Sequence, residues 1–249
     1  MALWPFAQRG LDILGPFLLG IGQMKFLVVR INYFTKWVVA EPLAKITQHN
    51  VKNLVWKNIV CRFRVPRVLI SNNGRQFDNT LFKDFCEHFE IQNHYSSLVH
   101  PQANGQAEVA NRSLLKIIKT WLDGAKGVWL DELPGVLSAY RTIVKTPTGE
   151  TPFKLAYGSE VVIPVEVHMA NHRVIKYDKE DNKEQLRLNL DLIDEVRMDA
   201  EQRTARYKNL MARQYDAMVK PRRFNIRDLV LKRVSLATRN LAHGKLGPN

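Results

Sequence analysis

Between Ser97 and Trp121 the chain reads SLVHPQANGQAEVANRSLLKIIKTW, a polar loop that turns into an amphipathic helix. Pro101, Asn104 and Gly105 are loop and helix-start residues. From about Gln106, the residues Ala107, Ala110, Leu114, Ile117, Ile118 and Trp121 recur at three- and four-residue spacing and form an apolar stripe. Glu108, Asn111, Arg112 and Lys119 lie off that stripe. Glu108 is the only carboxylate between Glu90 and Asp123. A lone Glu on a helix is usually a solvated surface residue. The loop before this one, and two segments upstream, set it apart.

Val68-Leu69-Ile70 is a short apolar run ending in Ser71-Asn72-Asn73-Gly74, which reads as a buried strand entering a polar turn. Leu11-Asp12-Ile13-Leu14 places one acid inside an apolar run, where an unpaired carboxylate is costly unless a cation or a donor meets it. Polar residues at two strand ends and one helix face suit a hydrated cation such as Mg²⁺, which takes oxygen ligands.

The charge narrows the class of partner. With 37 Lys+Arg against 24 Asp+Glu, the formal net charge is +13, which calls for a polyanion, nucleic acid before membrane surface. No basic amphipathic anchor or lipidation signal is legible. Leu11–Ile31 is interrupted by Asp12, Gly15, Pro16, Lys25 and Arg30, so it reads as neither signal peptide nor membrane span. The two cysteines, Cys61 and Cys86, each sit in a helix-like pattern without paired spacing and are expected to be reduced core thiols of an intracellular protein. The seven histidines never meet a CxxC pair, and no zinc site is legible.

Taken in order, residues 9–15, 25–31 and 36–43 read as three strands of an antiparallel meander. Thr47 reads as the N-cap of a helix burying Val51, Leu54, Val55, Ile59 and Phe63. Strands at 65–70 and 91–95 flank a helix striped by Phe82, Phe85, Cys86 and Phe89. After the Glu108 helix comes another over 128–144, with Pro134 in its early part as a candidate bend. This is an α/β sandwich with a mixed five-stranded sheet. Residues 146–164 read as an ordered loop with one helical turn at 153–158, and 179–219 as one long polar helix. The apolar seam of that helix runs from Leu186 to Met218, either docked on the core or used for self-association; both readings stay open. Segment 204–249 carries eleven Lys/Arg against two Asp, with cations alternating along Asp228–Val234 like a strand that meets phosphates. The expected divisions are 1–160 for the core, 161–178 for a linker, 179–219 for the long helix and 220–249 for a truncated basic β (SH3-like) region.

Several motifs then converge. Gly10-Leu11-Asp12-Ile13-Leu14-Gly15-Pro16, Tyr33-Phe34-Thr35-Lys36-Trp37, Ser71-Asn72-Asn73-Gly74-Arg75-Gln76-Phe77 and His100-Pro101-Gln102-Ala103-Asn104-Gly105-Gln106-Ala107-Glu108 are weak singly and specific together. Thr151-Pro152-Phe153, Tyr157-Gly158 and Asp228-Leu229-Val230-Leu231 also fit. The chain resembles the integrases of gypsy-like LTR retrotransposons, especially the plant type, over nearly its whole length.

That resemblance implies a ribonuclease-H-like core with an Asp, Asp, Glu triad holding two Mg²⁺ or Mn²⁺ ions, which process and join DNA ends. Asp12 matches the first acid and Glu108 the third, both as metal ligands. The second position falls on Asn72, with 35 residues between it and Glu108 as in the family. An amide offers one neutral oxygen, so two cations at close range lose an anion that offsets their repulsion. Poor or absent DNA cleavage and joining is therefore expected. Asp78, six residues along, is not expected to substitute. Asn104, Asn111, Arg112, Lys119, Arg222, Arg223, Lys232 and Arg233 are the expected nucleic-acid contacts.

The resemblance further implies double-stranded DNA as partner, multimers on DNA ends and a nuclear site of action. It also implies a piece of a larger polyprotein without the family's zinc-binding module. Arg64 and Glu90 stand where the family has helix-ending glycines, and Asn32 and Arg227 also replace usual residues. The competing readings are a DNA-binding remnant without catalysis and a cellular ribonuclease H. The asparagine-rich loop and basic tail disfavour the latter.

Overall fold

The computed structural model describes residues 6–72, 74–96, 104–121, 129–160 and 178–218. The expected linker (161–178, apart from Asp178) and the expected basic β region (220–249), with Arg222, Arg223, Arg227, Lys232 and Arg233, lie outside the described residues.

Five strands form one mixed sheet in the order β3-β2-β1-β4-β5. They are β1 (Gln8–Leu14), β2 (Phe26–Asn32), β3 (Val38–Leu43), β4 (Val68–Asn72) and β5 (Gln92–Ser96). The first three pair antiparallel, while β4 joins β1 and β5 joins β4 in parallel. Parallel pairing requires a crossover, which the intervening helices supply. These are α1 (Gln48–Val55), continuing through a π-helical stretch (Trp56–Val60) into α2 (Cys61–Phe63), and α3 (Thr80–His88). The chain goes on through α4 (Gly105–Trp121), α5 (Trp129–Thr142), α6 (Pro152–Tyr157), α7 (Lys179–Asp191) and α8 (Ile193–Met218).

Alternation along the strands sends side chains to two cores. On one face, Leu27, Val29, Ile31, Val38 and Ala40 pack against Ala107, Leu114, Trp129 and Leu133 of α4 and α5. On the other, Leu11 and Leu69 pack with Val51, Ile59, Phe77 and Phe82 on the side of α1 and α3. The Thr47 cap forms as expected, its side chain accepting from the Asn50 N–H, and Asn79 caps α3 in the same way through the Phe82 N–H.

Four expectations need correction. The third strand begins at Val38 rather than 36, because Asn32 Oδ1 accepts from the N–H groups of Phe34 and Thr35 and bends the chain into a turn where Lys36 has φ +62°. The fourth begins at Val68 rather than 65, since Pro66 has no N–H to give to a ladder. The single long helix is divided at Leu192 into α7 and α8. Cys61 is exposed, and only Cys86 is a core thiol. Pro134 lies within α5 without ending it.

Helix α8 docks through its first half. Ile193 and Ala200 are buried, the Arg197 guanidinium donates to the carbonyls of Leu155 and Ala156 at 3.1 and 3.4 Å, and the Thr204 hydroxyl donates to the Pro147 carbonyl at 3.1 Å. Further along, Leu210, Met211, Tyr215 and Met218 are exposed. No helix among the described residues is long and apolar enough to cross a membrane.

Arg64 and Glu90 both have positive φ, +69° and +54°. Around Glu90, the Ile91 N–H reaches back to the Cys86 carbonyl at 2.8 Å, closing a helix end of the kind that favours glycine. A side chain is present where the backbone asks for none.

Candidate active site

The site is built where α4 crosses the central strands. Small residues allow the close approach: a Cβ on Gly10 would lie 2.7 Å from Tyr33 Cε1 and 3.1 Å from the Ala107 methyl. Any larger residue at position 10 would have to displace the Tyr33 ring and crowd the Ala107 methyl of α4. Asn104, just ahead of the helix, fixes the depth of its entry. Its Nδ2 donates to the Leu11 carbonyl at 3.2 Å and its Oδ1 accepts from the Tyr33 hydroxyl at 3.3 Å.

At the centre lies Asp12 on β1. Its Oδ1 accepts from the Ile13 N–H at 2.9 Å and from Asn72 Nδ2 at 3.1 Å. Its Oδ2 accepts from Asn111 Nδ2 at 2.6 Å. Asn72 is oriented for this role by its other end, where Oδ1 accepts from the Gly74 N–H at 3.2 Å. The carboxylate is thus ringed by three N–H donors, two of them neutral amides from β4 and α4. Burial raises the Asp12 pKa most, and the Glu108 carboxylate adds to the rise, while the Ile13, Asn111 and Asn72 hydrogen bonds pull it back. Glu108 is half-buried on α4, one turn before Asn111.

Asp12 and Asn72 are thus hydrogen-bonded, and Glu108 lies near enough to Asp12 to act on its charge. Asn104 and Asn111 are 2% and 4% exposed. Asn104 bonds through both ends of its amide and Asn111 through its nitrogen, with the Asn111 oxygen buried and unpartnered among the described residues, so both position the site from inside the protein. Arg112 and Lys119 are exposed on α4, and Lys116 joins them on the same side. Sequence reasoning missed Lys116, although its four-residue spacing from Arg112 is the signal that finds it. Asp78 bonds Lys83 at 2.7 Å, so it is already paired.

A two-metal centre needs several anionic oxygens gathered around each cation. Here the gathered side chains are two carboxylates and two amides, and both Asp12 oxygens already accept N–H bonds. Among the described residues no group of three His, Cys, Asp or Glu side chains is placed to hold a metal. The donor set does not fit a pair of Mg²⁺ ions.

No protein-family model matches the chain. Curated relatives do. The Pro-Pol polyprotein of simian foamy virus type 3 is 28% identical over 194 residues, 78% of this chain and 16% of the relative. The Pol polyprotein from transposon 412 of Drosophila melanogaster is 23% identical over 159 residues, 64% of this chain and 13% of the relative. The chain spans well under a fifth of either relative. Among solved structures, the simian T-cell lymphotropic virus intasome in complex with the PP2A regulatory subunit B56 gamma superposes with a TM-score of 0.56 at 18% identity, covering 66% of this chain and 58% of that one. The HTLV-2 integrase catalytic core domain in complex with magnesium gives 0.50 at 18% identity, covering 62% and 98%.

The relatives are retroviral and retrotransposon Pol polyproteins, and the fold is that of an integrase catalytic core. A ribonuclease-H-like core was the expected fold, and the mixed five-stranded sheet with flanking helices agrees with it.

Proposed function

We propose that this chain is an integrase-type polynucleotidyl transferase core of a plant gypsy-like retrotransposon that still engages double-stranded DNA but processes and joins DNA ends poorly or not at all. The observation that carries this reading is the Asn72 amide donating to Asp12 Oδ1 at 3.1 Å. Asn72 occupies the second position of the acidic triad. There it acts as a neutral donor that satisfies Asp12, where a third carboxylate would repel Asp12 until a cation joined them. Asp12 and Glu108 remain as the two acids, too few to neutralise two divalent ions.

DNA contact falls to the cations. Arg112, Lys116 and Lys119 on the outer side of α4 follow Glu108 at successive turns, placed to meet phosphates running past the pocket. Arg222, Arg223, Lys232 and Arg233 extend that contact in the basic tail. The exposed apolar residues toward the end of α8 suit self-association, and the nucleus is the site of action because that is where the DNA lies.

The test compares the wild type with Asn72→Asp. In EDTA the variant is less stable, having exchanged a hydrogen bond for a like-charge contact. Added Mg²⁺ reverses the order, raising the variant's Tm and tightening Mg²⁺ binding by roughly 10- to 100-fold. Strand transfer with Mg²⁺ or Mn²⁺ is absent or weak in the wild type and rises in the variant. Robust transfer by the wild type that Asn72→Asp fails to improve would sink the proposal. A DNA-binding remnant without any metal dependence is the second reading. Its mark is salt-sensitive DNA binding unchanged by Mg²⁺ in both proteins, with each of Arg112→Ala and Lys116→Ala reducing the salt slope by about 0.9.

A further inference from the structure

The sheet face opposite Asp12 buries a second polar cluster that DNA chemistry does not use. Arg9 on β1 pairs across the sheet with Asn32 on β2, and Arg30 lies two residues before Asn32 on the same face. With Trp37, and with Asn58 and Ile59 from the helix above, they line a cavity of about 10 Å³. That is room for a single small occupant, a water molecule or a monoatomic ion. Arg9, Arg30, Asn32 and Trp37 are 4%, 3%, 3% and 8% exposed.

Every unpaired group in this cluster is a donor. Arg9 Nε, all three Arg30 guanidinium nitrogens, Asn32 Nδ2 and Trp37 Nε1 have no hydrogen-bond partner among the described residues. The Asn32 oxygen is already committed to a turn. Asn32 Oδ1 receives the Phe34 N–H, the Thr35 N–H and the Thr35 hydroxyl, at 3.0, 2.8 and 3.1 Å. Arg9 reaches the Phe63 carbonyl with Nη2 at 3.4 Å and lies over the Phe6 and Phe63 rings. The Arg30 charge is met only at a distance: Glu41 attracts it without bonding to it, while Arg9, Arg62 and Arg141 repel it. A buried charge with no partner costs far more than a buried dipole. A water molecule would accept only two of these donors and, being neutral, would leave both guanidinium charges uncompensated. A spherical anion accepts from all sides and also neutralises charge.

We propose that this cavity binds a single small monovalent anion of the halide class, chloride under ordinary conditions, seated between Arg9 and Arg30 and held by the N–H groups of Asn32 and Trp37. Burial pushes Arg30 down to about 9 and Arg9 to about 10, so both are still cationic at neutral pH. The anion stabilises the fold on this face and takes no part in DNA chemistry, so the inference stands whether or not the integrase reading does.

The experiment measures Tm of the purified full chain in sodium chloride and in sodium gluconate at matched ionic strength and pH. Gluconate is too large for the cavity. Chloride is expected to raise Tm by about 5 °C with saturable dependence, and bromide to substitute for it. Asn32→Asp supplies a fixed carboxylate, so in gluconate it melts above the wild type and gains nothing from chloride. Arg30→Met removes the main charge and also loses the chloride increment. Equal melting of the wild type in the two salts overturns the proposal. So does a chloride increment that survives in both variants, which would mark non-specific screening of a +13 chain.

Discussion

The two faces of one sheet bury polar clusters of opposite kind. On the α4 face, Asp12 is an acceptor surrounded by donors from Ile13, Asn72 and Asn111. On the α1 face, Arg9, Arg30, Asn32 and Trp37 hold donors that nothing among the described residues receives. Each cluster contains an asparagine at the end of a strand, and the two do different work. Asn72 turns its nitrogen toward a carboxylate and satisfies it. Asn32 commits its oxygen to a turn and leaves its nitrogen among guanidiniums. An amide is self-sufficient only when the neighbour has complementary polarity. Where both neighbours are cations, it adds one more unmet donor.

The contrast can be broken most forcefully at Arg30. Arg30→Met, by removing an uncompensated buried charge, is expected to stabilise the chain by about 1–4 kcal/mol in urea denaturation measured without halide. A loss instead would mean the charge is already compensated, and the contrast between the faces would fall. Asn111→Ala tests the satisfied face. Removing the 2.6 Å bond to Asp12 is expected to cost about 1.5–3 kcal/mol. It also raises the Asp12 pKa further, read by carbon NMR titration of the carboxyl. The pH dependence follows from that sign. An acid whose folded pKa lies above its unfolded value weakens the fold at higher pH, and protonation relieves it. The Asn111→Ala deficit is therefore largest at neutral pH and shrinks as pH falls through the Asp12 pKa.

Smaller effects sit away from both clusters. Arg64→Gly and Glu90→Gly each relieve a positive φ, and each is expected to add about 1 kcal/mol in the same denaturation assay. Both gains should leave the halide and Mg²⁺ responses unchanged. The smallest is a labelling difference between the thiols. Exposed Cys61 reacts in the native protein, whereas Cys86, buried and with its thiol pushed up to about 12, reacts only after unfolding. Mass spectrometry of the modified peptides checks it.

Much of the fold was legible because local patterns carry it. Short apolar and alternating runs marked all five strands, and Thr47 marked a helix start that forms as read. Two of the four errors fell where a side chain or a missing N–H redirected the backbone, at the Asn32 turn and at Pro66; the break at Leu192 and the exposure of Cys61 were the others. That Asp12 and position 72 sit side by side followed from two strand-end motifs whose strands pair in parallel. The inward turn of Asn104 and Asn111 was not legible, because a polar residue on a helix looks the same whether its amide faces solvent or a buried carboxylate.

What the residues alone determined is which elements form and that position 72 carries no charge, since periodicity, caps and the chemistry of an amide are local properties. Only tertiary structure decided what those groups meet. Asp12, Asn72 and Asn111 are far apart along the chain, and Arg9 and Arg30 gain their shared burial only when β1 and β2 pair. Hydrogen-bond satisfaction depends on distance and direction between such remote groups. The same residue type can therefore close a site on one face and leave one open on the other.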